Sequence, residues 1–157
     1  MTGGHGRGRA GRRDVRGLGA EATIDYRTED VVARALELTD GAGPDLVHEL
    51  VVSINLPADV RLLSTGGRIV CTGQGPSPEG TIPIGDALAK DATLLFMNLN
   101  NAKRAGVAAI AREVAQMAAE GRVKPVIGEK LPLAEARRAH ELLAGDHLGK
   151  IVLLPHG

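Results

Sequence analysis

Apolar and polar positions alternate along the chain with two different periods. Short apolar runs predict β-strands over residues 22–26, 46–52, 68–72, 92–99 and 150–154. Between them, apolar positions spaced by three and four predict helices over residues 28–39, 57–63, 86–90, 103–120 and 134–144. Strands that alternate with helices and are buried on both faces are typical of a parallel sheet with right-handed crossovers. The pattern therefore predicts an α/β fold.

Capping residues define the predicted ends of two helices. Thr28 is the predicted N-cap of helix 28–39, with Glu29 and Asp30 in its first turn, where negative charge suits the helix dipole. Gly145 is predicted to end helix 134–144. The longest helix, 103–120, carries one apolar stripe, which consists of Val107, Ile110, Val114 and Met117.

The first 13 residues are rich in glycine and arginine and are predicted to be a disordered arm. Gly6–Gly11 match G-x-G-x-x-G, the fingerprint of dinucleotide-binding turns. A true fingerprint follows a strand and opens a helix, and the five residues before Gly6 cannot form that strand. We therefore interpret the match as chance. The arginines of the arm could contact phosphates, but the chain has one Tyr, one Phe and no Trp, so nucleic-acid binding is not predicted.

Charge and cysteine content exclude several classes of function. Lys+Arg and Asp+Glu are 19 each, so the net charge predicts no acidic partner. Cys71 is the only cysteine, which excludes an internal disulfide and a cysteine-rich metal site, and we expect it to be a small apolar core residue. A reducing cytoplasm is the simplest compartment. No apolar run approaches the roughly 20 residues of a membrane span.

One glycine-rich loop stands where an α/β protein binds its ligand. Gly73-Gln74-Gly75 directly follows the strand 68–72. Ligands of doubly wound sheets lie outside the carboxyl ends of the strands, where glycine lets the backbone approach them. An ordinary strand-to-helix turn explains the same residues equally well. His48 and Glu49 are neighbours on a strand, so their side chains point to opposite faces and are not expected to form a metal pair.

Several segments of the chain resemble a known enzyme family. Residues 49–56 and 62–70, Ala89-Lys90-Asp91, Lys124-Pro125-Val126-Ile127-Gly128, Leu131-Pro132-Leu133, Ala139-His140-Glu141 and Gly149–Leu154 occur in family order and spacing. Together they cover about residues 17–155 and resemble the zinc-free quinone oxidoreductases related to zeta-crystallin, within the medium-chain dehydrogenase/reductase superfamily of zinc-binding dehydrogenases. The Lys-Pro-Val-Ile-Gly segment and the Gly-Lys-Ile-Val-Leu-Leu ending are the most specific.

The resemblance implies an incomplete doubly wound Rossmann-type sheet that lacks the first two strands and the fingerprint loop. Residues 14–121 would be a partial cofactor-binding domain, and residues 122–157 resemble the tail that completes the catalytic domain in the family. Val52, Ser53, Gly73, Gln74, Met97 and Asn98 match positions that face the nicotinamide half of the cofactor. The chain departs from the family at Ser53, where many relatives have Asn, at Phe96, where Gly is usual, and at the Pro-Ser-Pro after Gly75.

The resemblance also implies the activity. The complete protein would transfer a hydride from the reduced form of NADP (or NAD) to a small quinone or enone, without zinc, whereas this chain is expected to bind the cofactor weakly and to be inactive alone. The alternative is a non-catalytic nucleotide-binding or protein-interaction module of the same fold.

The strand order of a Rossmann sheet, 3-2-1-4-5-6, leads to two further predictions. With two strands missing, strand 22–26 could pair directly with strand 46–52 in a four-stranded parallel core. If the two strands do not pair, strand 46–52 exposes an apolar edge that invites aggregation. In the family the strand equivalent to 92–99 pairs with its copy in a second subunit. This strand is apolar and has neither charge nor proline until its end, so a homodimer joined through it is predicted.

Overall fold

The computed structural model describes residues 15–101, 104–145 and 147–155. The glycine- and arginine-rich arm, with its G-x-G-x-x-G match, and residues 102–103 lie outside the described residues. The described chain divides into two compact units, residues 24–101 and residues 15–23 with 104–155. None of the helices in these ranges is long and apolar enough to span a membrane.

The first unit is a three-stranded parallel sheet with helices on one face. Its elements are α1 (Val31–Glu37), β1 (Leu46–Glu49), α2 (Val52–Leu62), β2 (Arg68–Cys71), α3 (Ile84–Ala89), β3 (Thr93–Phe96) and a 3-10 turn (Leu99–Asn101). The strand order is β1-β2-β3. Val47 pairs with Ile69 and Ile69 with Leu94, so the strands run in register and their carboxyl ends align. This arrangement confirms the predicted α/β class with parallel strands.

The core of this unit lies between the sheet and the helices α1 and α2. Val60, Leu63 and Ile69 are its largest fully buried side chains. Ala35 of α1 and Leu56 of α2 complete the contact with the covered face of the sheet. On the other face, Leu46 and Leu95 remain 49% and 47% exposed. Because successive side chains of a strand point to opposite faces, β1 has one face covered by the helices and one exposed face.

The second unit contains α4 (Arg104–Ala119), β4 (Ile127–Pro132), a 3-10 turn (Leu133–Glu135), α5 (Ala136–Ala144) and β5 (Lys150–Leu154). The strands β4 and β5 are parallel, and Gly145 caps α5 as predicted. A Cβ on Gly128 would lie 1.8 Å from the carbonyl oxygen of Leu148, so only glycine allows the two strands this approach. The two family-specific segments, around Gly128 and Gly149, therefore meet in one pair of strands.

The strand predicted over residues 22–26 is absent, and the prediction of a four-stranded core is wrong. Ile24 packs against the core, but residues 22–25 form no ladder. The backbone turns at Asp25, whose carbonyl accepts from Thr28 and Glu29 and whose N–H donates to Glu29 Oε2 at 2.7 Å. An apolar alternation becomes a strand only where another strand offers hydrogen bonds, and among the described residues the sheet has three strands.

Three helix boundaries also differ from the predictions. Asp30, not Thr28, is the N-cap of α1, and its Oδ1 accepts from the N–H of Ala33 at 3.0 Å. The strand predicted over 46–52 ends at Glu49, and α2 begins at Val52 instead of Pro57, so that Pro57 lies inside the helix. The helix predicted from residue 134 begins with a 3-10 turn and becomes α-helical at Ala136. The strand predicted over residues 92–99 is shorter, because β3 ends at Phe96 and Leu99 begins a 3-10 turn.

Candidate functional site

A cleft of about 490 Å³ lies at the carboxyl ends of the three strands of the first unit. Its walls come from the start of α2, from the segment that follows β2 and from the end of β3. The residues that line it are Val52, Ser53, Leu56, Cys71, Thr72, Gly73, Gln74, Ser77, Pro78, Glu79, Gly80, Ile82, Phe96, Met97, Asn98 and Asn101. The cleft therefore occupies the place where doubly wound sheets bind their ligands.

All six residues that the family resemblance assigned to the cofactor line this one cleft. Val52 and Ser53 come from the first turn of α2, Gly73 and Gln74 follow β2, and Met97 and Asn98 follow β3. They meet because the carboxyl ends of parallel, in-register strands lie at one edge of the sheet. The three pairs lie at least 20 positions apart in the sequence, and the topology brings them together.

Backbone hydrogen bonds hold the walls of the cleft to one another. The N–H of Val52 donates to the carbonyl of Gly73 at 3.2 Å, and that of Ser53 donates to the carbonyl of Gln74 at 2.9 Å. On the other side of β2, the N–H of Met97 donates to the carbonyl of Cys71 at 2.9 Å. The start of α2 is thus bound to the glycine loop, and the end of β3 is bound to β2.

Two glycines allow the loop after β2 to come this close. A Cβ on Gly73 would lie 2.1 Å from the carbonyl oxygen of Leu50, which no structure tolerates without moving backbone. Gly75 has φ +84°, and a Cβ there would lie 2.5 Å from Ser53 Oγ. Close backbone approach therefore explains the Gly-Gln-Gly sequence. It is a property of the turn itself and does not depend on a bound ligand.

The cleft is lined by neutral polar groups and apolar side chains. Its hydroxyls and amides belong to Ser53, Thr72, Gln74, Ser77, Asn98 and Asn101, and Glu79 is the one carboxylate among the described lining residues. Ser53 Oγ accepts from the N–H of Ser77 at 3.4 Å, which leaves most of its hydrogen-bonding capacity free. Hydroxyls and amides beside apolar walls suit a flat ligand that carries a carboxamide or carbonyl.

His48 and Glu49 point to opposite faces of the sheet, as predicted. His48 is exposed and its Nε2 lies 2.7 Å from Thr72 Oγ1, whereas Glu49 is 8% exposed on the covered face. Cys71 is a buried core residue, also as predicted. Burial, together with the negative charges of Asp59 and Glu49, raises the pKa of its thiol.

Sequence reasoning missed several residues of the site. Thr72 lies between the end of β2 and the glycine loop, and Ser77 to Gly80 turn back along the cleft wall. Thr72 could have been predicted as a site residue, because it lies directly after the end of a strand. Nothing in the sequence indicated that residues 77–80 return to the start of α2, where a Cβ on Gly80 would lie 3.2 Å from the Cα of Ser53.

Comparisons with known proteins place this architecture in a family. The family model described as zinc-binding dehydrogenase matches residues 18–153. The chain belongs to the zinc-binding dehydrogenase family. The rat quinone oxidoreductase is 28% identical over 148 residues, which cover 92% of this chain and 44% of the rat protein.

Solved structures agree with this assignment. An NAD-dependent alcohol dehydrogenase superposes with a TM-score of 0.79 at 27% identity and covers 93% of this chain and 41% of its own. The quinone oxidoreductase of Pseudomonas syringae pv. Tomato DC3000 superposes with a TM-score of 0.74 at 30% identity, with coverage of 94% and 47%. The chain therefore spans less than half the length of these relatives. It has the fold of part of their Rossmann domain.

The described residues of this zinc-binding dehydrogenase chain do not fit a zinc site. They contain no group of three or more His, Cys, Asp or Glu that could hold a metal. Cys71 is buried with its pKa raised, so its thiol stays protonated, whereas zinc binds the thiolate. The chemistry proposed for the cleft therefore involves no metal ligand among the described residues.

Proposed function

We propose that the cleft binds the nicotinamide half of NADP or NAD, as part of an oxidoreductase of the quinone oxidoreductase type. The observation that carries this proposal is the convergence of Val52, Ser53, Gly73, Gln74, Met97 and Asn98 on one cleft. The family and the position at the strand ends support it. When bound, the cofactor supplies the hydride, and a small quinone or enone accepts it in the whole protein.

The residues of the cleft have separate roles in this proposal. The apolar side chains of Val52, Leu56 and Met97 exclude water from one face of the ring. The hydroxyl of Ser53 and the amide of Asn98 orient the carboxamide, since both offer donors and acceptors. A cofactor is normally anchored by its pyrophosphate at a glycine-rich helix N-terminus, and no such site lines this cleft among the described residues. Binding by this chain is therefore weak.

The first prediction is that the purified chain does not turn over a quinone. Catalysis needs cofactor and substrate held together in one site from which water is excluded, and the described cleft is open to solvent. We expect no NADPH oxidation above the uncatalysed rate with a benzoquinone, and a Kd for NADPH of hundreds of micromolar or weaker by calorimetry. Turnover that Gly73→Ala abolishes, or a submicromolar Kd, would contradict this account.

We further propose that the chain forms a homodimer through β3. The strand lies at the edge of the described sheet, and Leu95, Phe96 and Met97 are 47%, 70% and 50% exposed. An apolar edge without charge or proline favours pairing with an identical strand. The cytoplasm remains the compartment predicted from the single cysteine.

The second prediction tests this interface. The N–H groups of Thr93 and Met97 donate to β2, so the N–H of Leu95 between them also faces β2, and the donors at the free edge are those of Leu94 and Phe96. Phe96→Pro removes one edge donor and should convert dimers to monomers in light scattering, because proline cannot contribute to a ladder. The control is Leu88→Ser, which changes an exposed residue of α3. Proline is not used at this position because it would break the helix. We expect Leu88→Ser to leave the dimer intact. An unmodified chain that is monomeric at high concentration would refute the interface.

A further inference from the structure

Two carboxyl groups are buried together beneath the cleft. Glu49 ends β1 and is 8% exposed, and Asp59 lies inside α2 and is 7% exposed. Cys71 at the end of β2 is 4% exposed and is the cross-strand partner of Glu49 on the covered face of the sheet. Because Cys71 also lines the cleft, the acid pair lies directly behind the cleft wall.

Glu49 fixes the turn between β1 and α2. Its Oε1 accepts from the N–H of Val51 and, at 3.1 Å, from the side-chain amide of Asn55. The N-cap of α2 is Val51, whose side chain cannot cap a helix. The carboxylate of Glu49 therefore binds the N–H of the cap residue itself, while the first helical N–H groups, of Val52 and Ser53, donate to Gly73 and Gln74.

Asp59 lacks the partner that a buried carboxylate needs. Its Oδ2 is buried and no described group donates a hydrogen bond to it. Two buried carboxylates side by side are unstable when both are charged, whereas one proton between them converts repulsion into a hydrogen bond. Burial, followed by the charge of Glu49 and a hydrogen bond with it, raises the pKa of Asp59 from 3.8 to about 7.

The neighbouring elements offer no compensating positive charge at this place. On α1, Arg34 pairs with Glu29 and Glu37 at the surface. On α3, Asp86 pairs with Arg61 of α2, again with both side chains about half exposed. From β1 the group that raises the pKa of Asp59 is Glu49, and both acids in turn raise the pKa of Cys71 on β2.

We propose that Glu49 and Asp59 hold one proton between them in the folded chain, and that this protonated pair positions the β1–α2 turn that forms one wall of the cleft. The proton lets Asp59 donate to Glu49 while Glu49 keeps its bonds to Val51 and Asn55. The two residues are positioning residues, because neither side chain lines the cleft. The proposal needs no cofactor, so it stands or falls separately from the proposed function.

Loss of the proton has a defined structural consequence. The turn carries Val52 and Ser53, whose N–H groups bind the carbonyls of Gly73 and Gln74. When both acids are charged, their repulsion acts on the turn and therefore on the two hydrogen bonds that join the cleft walls. Deprotonation should loosen the cleft without unfolding the sheet.

The sign of the pH dependence follows from the raised pKa. Folding holds a proton on Asp59 that the unfolded chain releases above its ordinary 3.8, so the stabilisation is fully present below that pH. It is lost as the pH rises and is gone above about 7. Within this window the unfolding equilibrium constant should rise by up to about tenfold per pH unit.

The experiment compares the unmodified chain with Asp59→Asn, Glu49→Gln and the exposed-acid control Asp86→Asn between pH 5 and 8. Urea unfolding gives the stability profile, infrared spectra detect the carbonyl stretch of a protonated carboxyl, and amide exchange reports protection at Val52 and Ser53. In the unmodified chain and Asp86→Asn, stability should fall from pH 5 to about 7 and level off above it, and the infrared band and this protection should be lost as the pH rises through about 7. Asp59→Asn should show a flat profile, since an amide donates to Glu49 at every pH.

The Glu49→Gln variant distinguishes a proton held between the two acids from a pKa of Asp59 that is raised by burial alone. Glutamine keeps the Oε1 acceptor for Val51 and Asn55, removes the repelling charge and can donate to Asp59, so the transition should move to lower pH. The proposal is overturned if the Asp59→Asn profile runs parallel to that of the unmodified chain, or if Glu49→Gln leaves the transition in place. Absence of a protonated carboxyl band at pH 6 in the unmodified chain would overturn it as well.

Discussion

At both the amino and the carboxyl end of the three-stranded sheet, a glycine allows two backbone segments to pack closely, but the surroundings of the two glycines are different. At the amino end a Cβ on Gly43 would lie 2.1 Å from the carbonyl oxygen of Leu62, and at the carboxyl end a Cβ on Gly73 would lie 2.1 Å from that of Leu50. In both places a glycine lets a loop pack backbone to backbone against the next segment. What surrounds the two glycines differs.

Hydrogen bonds close the amino end. Ser64 donates through its backbone to Pro44 at 3.1 Å and through its hydroxyl to Asp45 at 2.8 Å, and Arg68 N–H donates to Asp45 at 2.9 Å. At the carboxyl end Ser53, Thr72 and Asn98 face a cleft of about 490 Å³. The polar groups of the amino end bind each other, whereas in the cleft Thr72 contacts His48, Asn98 accepts from Asn100, and Ser53 accepts one long bond from Ser77. The amino end is therefore closed by its own hydrogen bonds, and the carboxyl end holds the cleft in which we propose that the cofactor binds.

The largest expected effect comes from adding a methyl group at either glycine. Gly43→Ala should lower the free energy of unfolding by more than about 3 kcal/mol, because the Cβ meets backbone and the residue also has φ +81°. Gly73→Ala should be less destabilising, since its clash is confined to Leu50, and should disrupt the cleft. Gly85→Ala has open space within α3 and should change stability by about 1 kcal/mol or less, in the stabilising direction. Urea unfolding measures all three.

A smaller effect distinguishes the two serines. Ser64 is 8% exposed and its hydroxyl donates to Asp45, so Ser64→Ala should lower stability by about 1–2 kcal/mol. Ser53 makes one long hydrogen bond, of 3.4 Å, so Ser53→Ala should change stability by less than about 0.5 kcal/mol. If Ser64→Ala and Ser53→Ala lowered the free energy of unfolding equally in urea, the contrast between the two ends of the sheet would be contradicted.

The sequence contained enough information for the α/β class and for the six cleft residues. Strands β1, β2 and β5 form within the predicted ranges, because apolar runs bounded by glycine and polar residues specify strands locally. Their carboxyl ends meet by a general rule of parallel sheets, which alone indicated the loop at Gly73. The family resemblance, not this rule, implied that Ser53 and Asn98 belong to the same site.

Features that depend on tertiary contacts could not be predicted. Residues 22–26 alternate as a strand should, yet they form no ladder, since hydrogen-bonding partners are a property of the assembled sheet. Thr28 and Asp30 are equally good caps by composition, and only the position of the Ala33 N–H selects Asp30. Glu49 and Asp59 are ten positions apart on a strand and a helix, so their common burial exists only after β1 and α2 pack.

The most direct test of the binding assignment is a titration of the isotope-labelled chain with NADPH, followed by amide chemical shifts. We expect shifts concentrated at Val52, Ser53, Gly73, Gln74, Met97 and Asn98, with nicotinamide mononucleotide reproducing them and adenosine monophosphate not doing so. The amides of Ser64 and Gly66 at the opposite end of the sheet serve as internal controls and should not move. Shifts at the amino end, or none at the six cleft residues up to millimolar NADPH, would contradict the account.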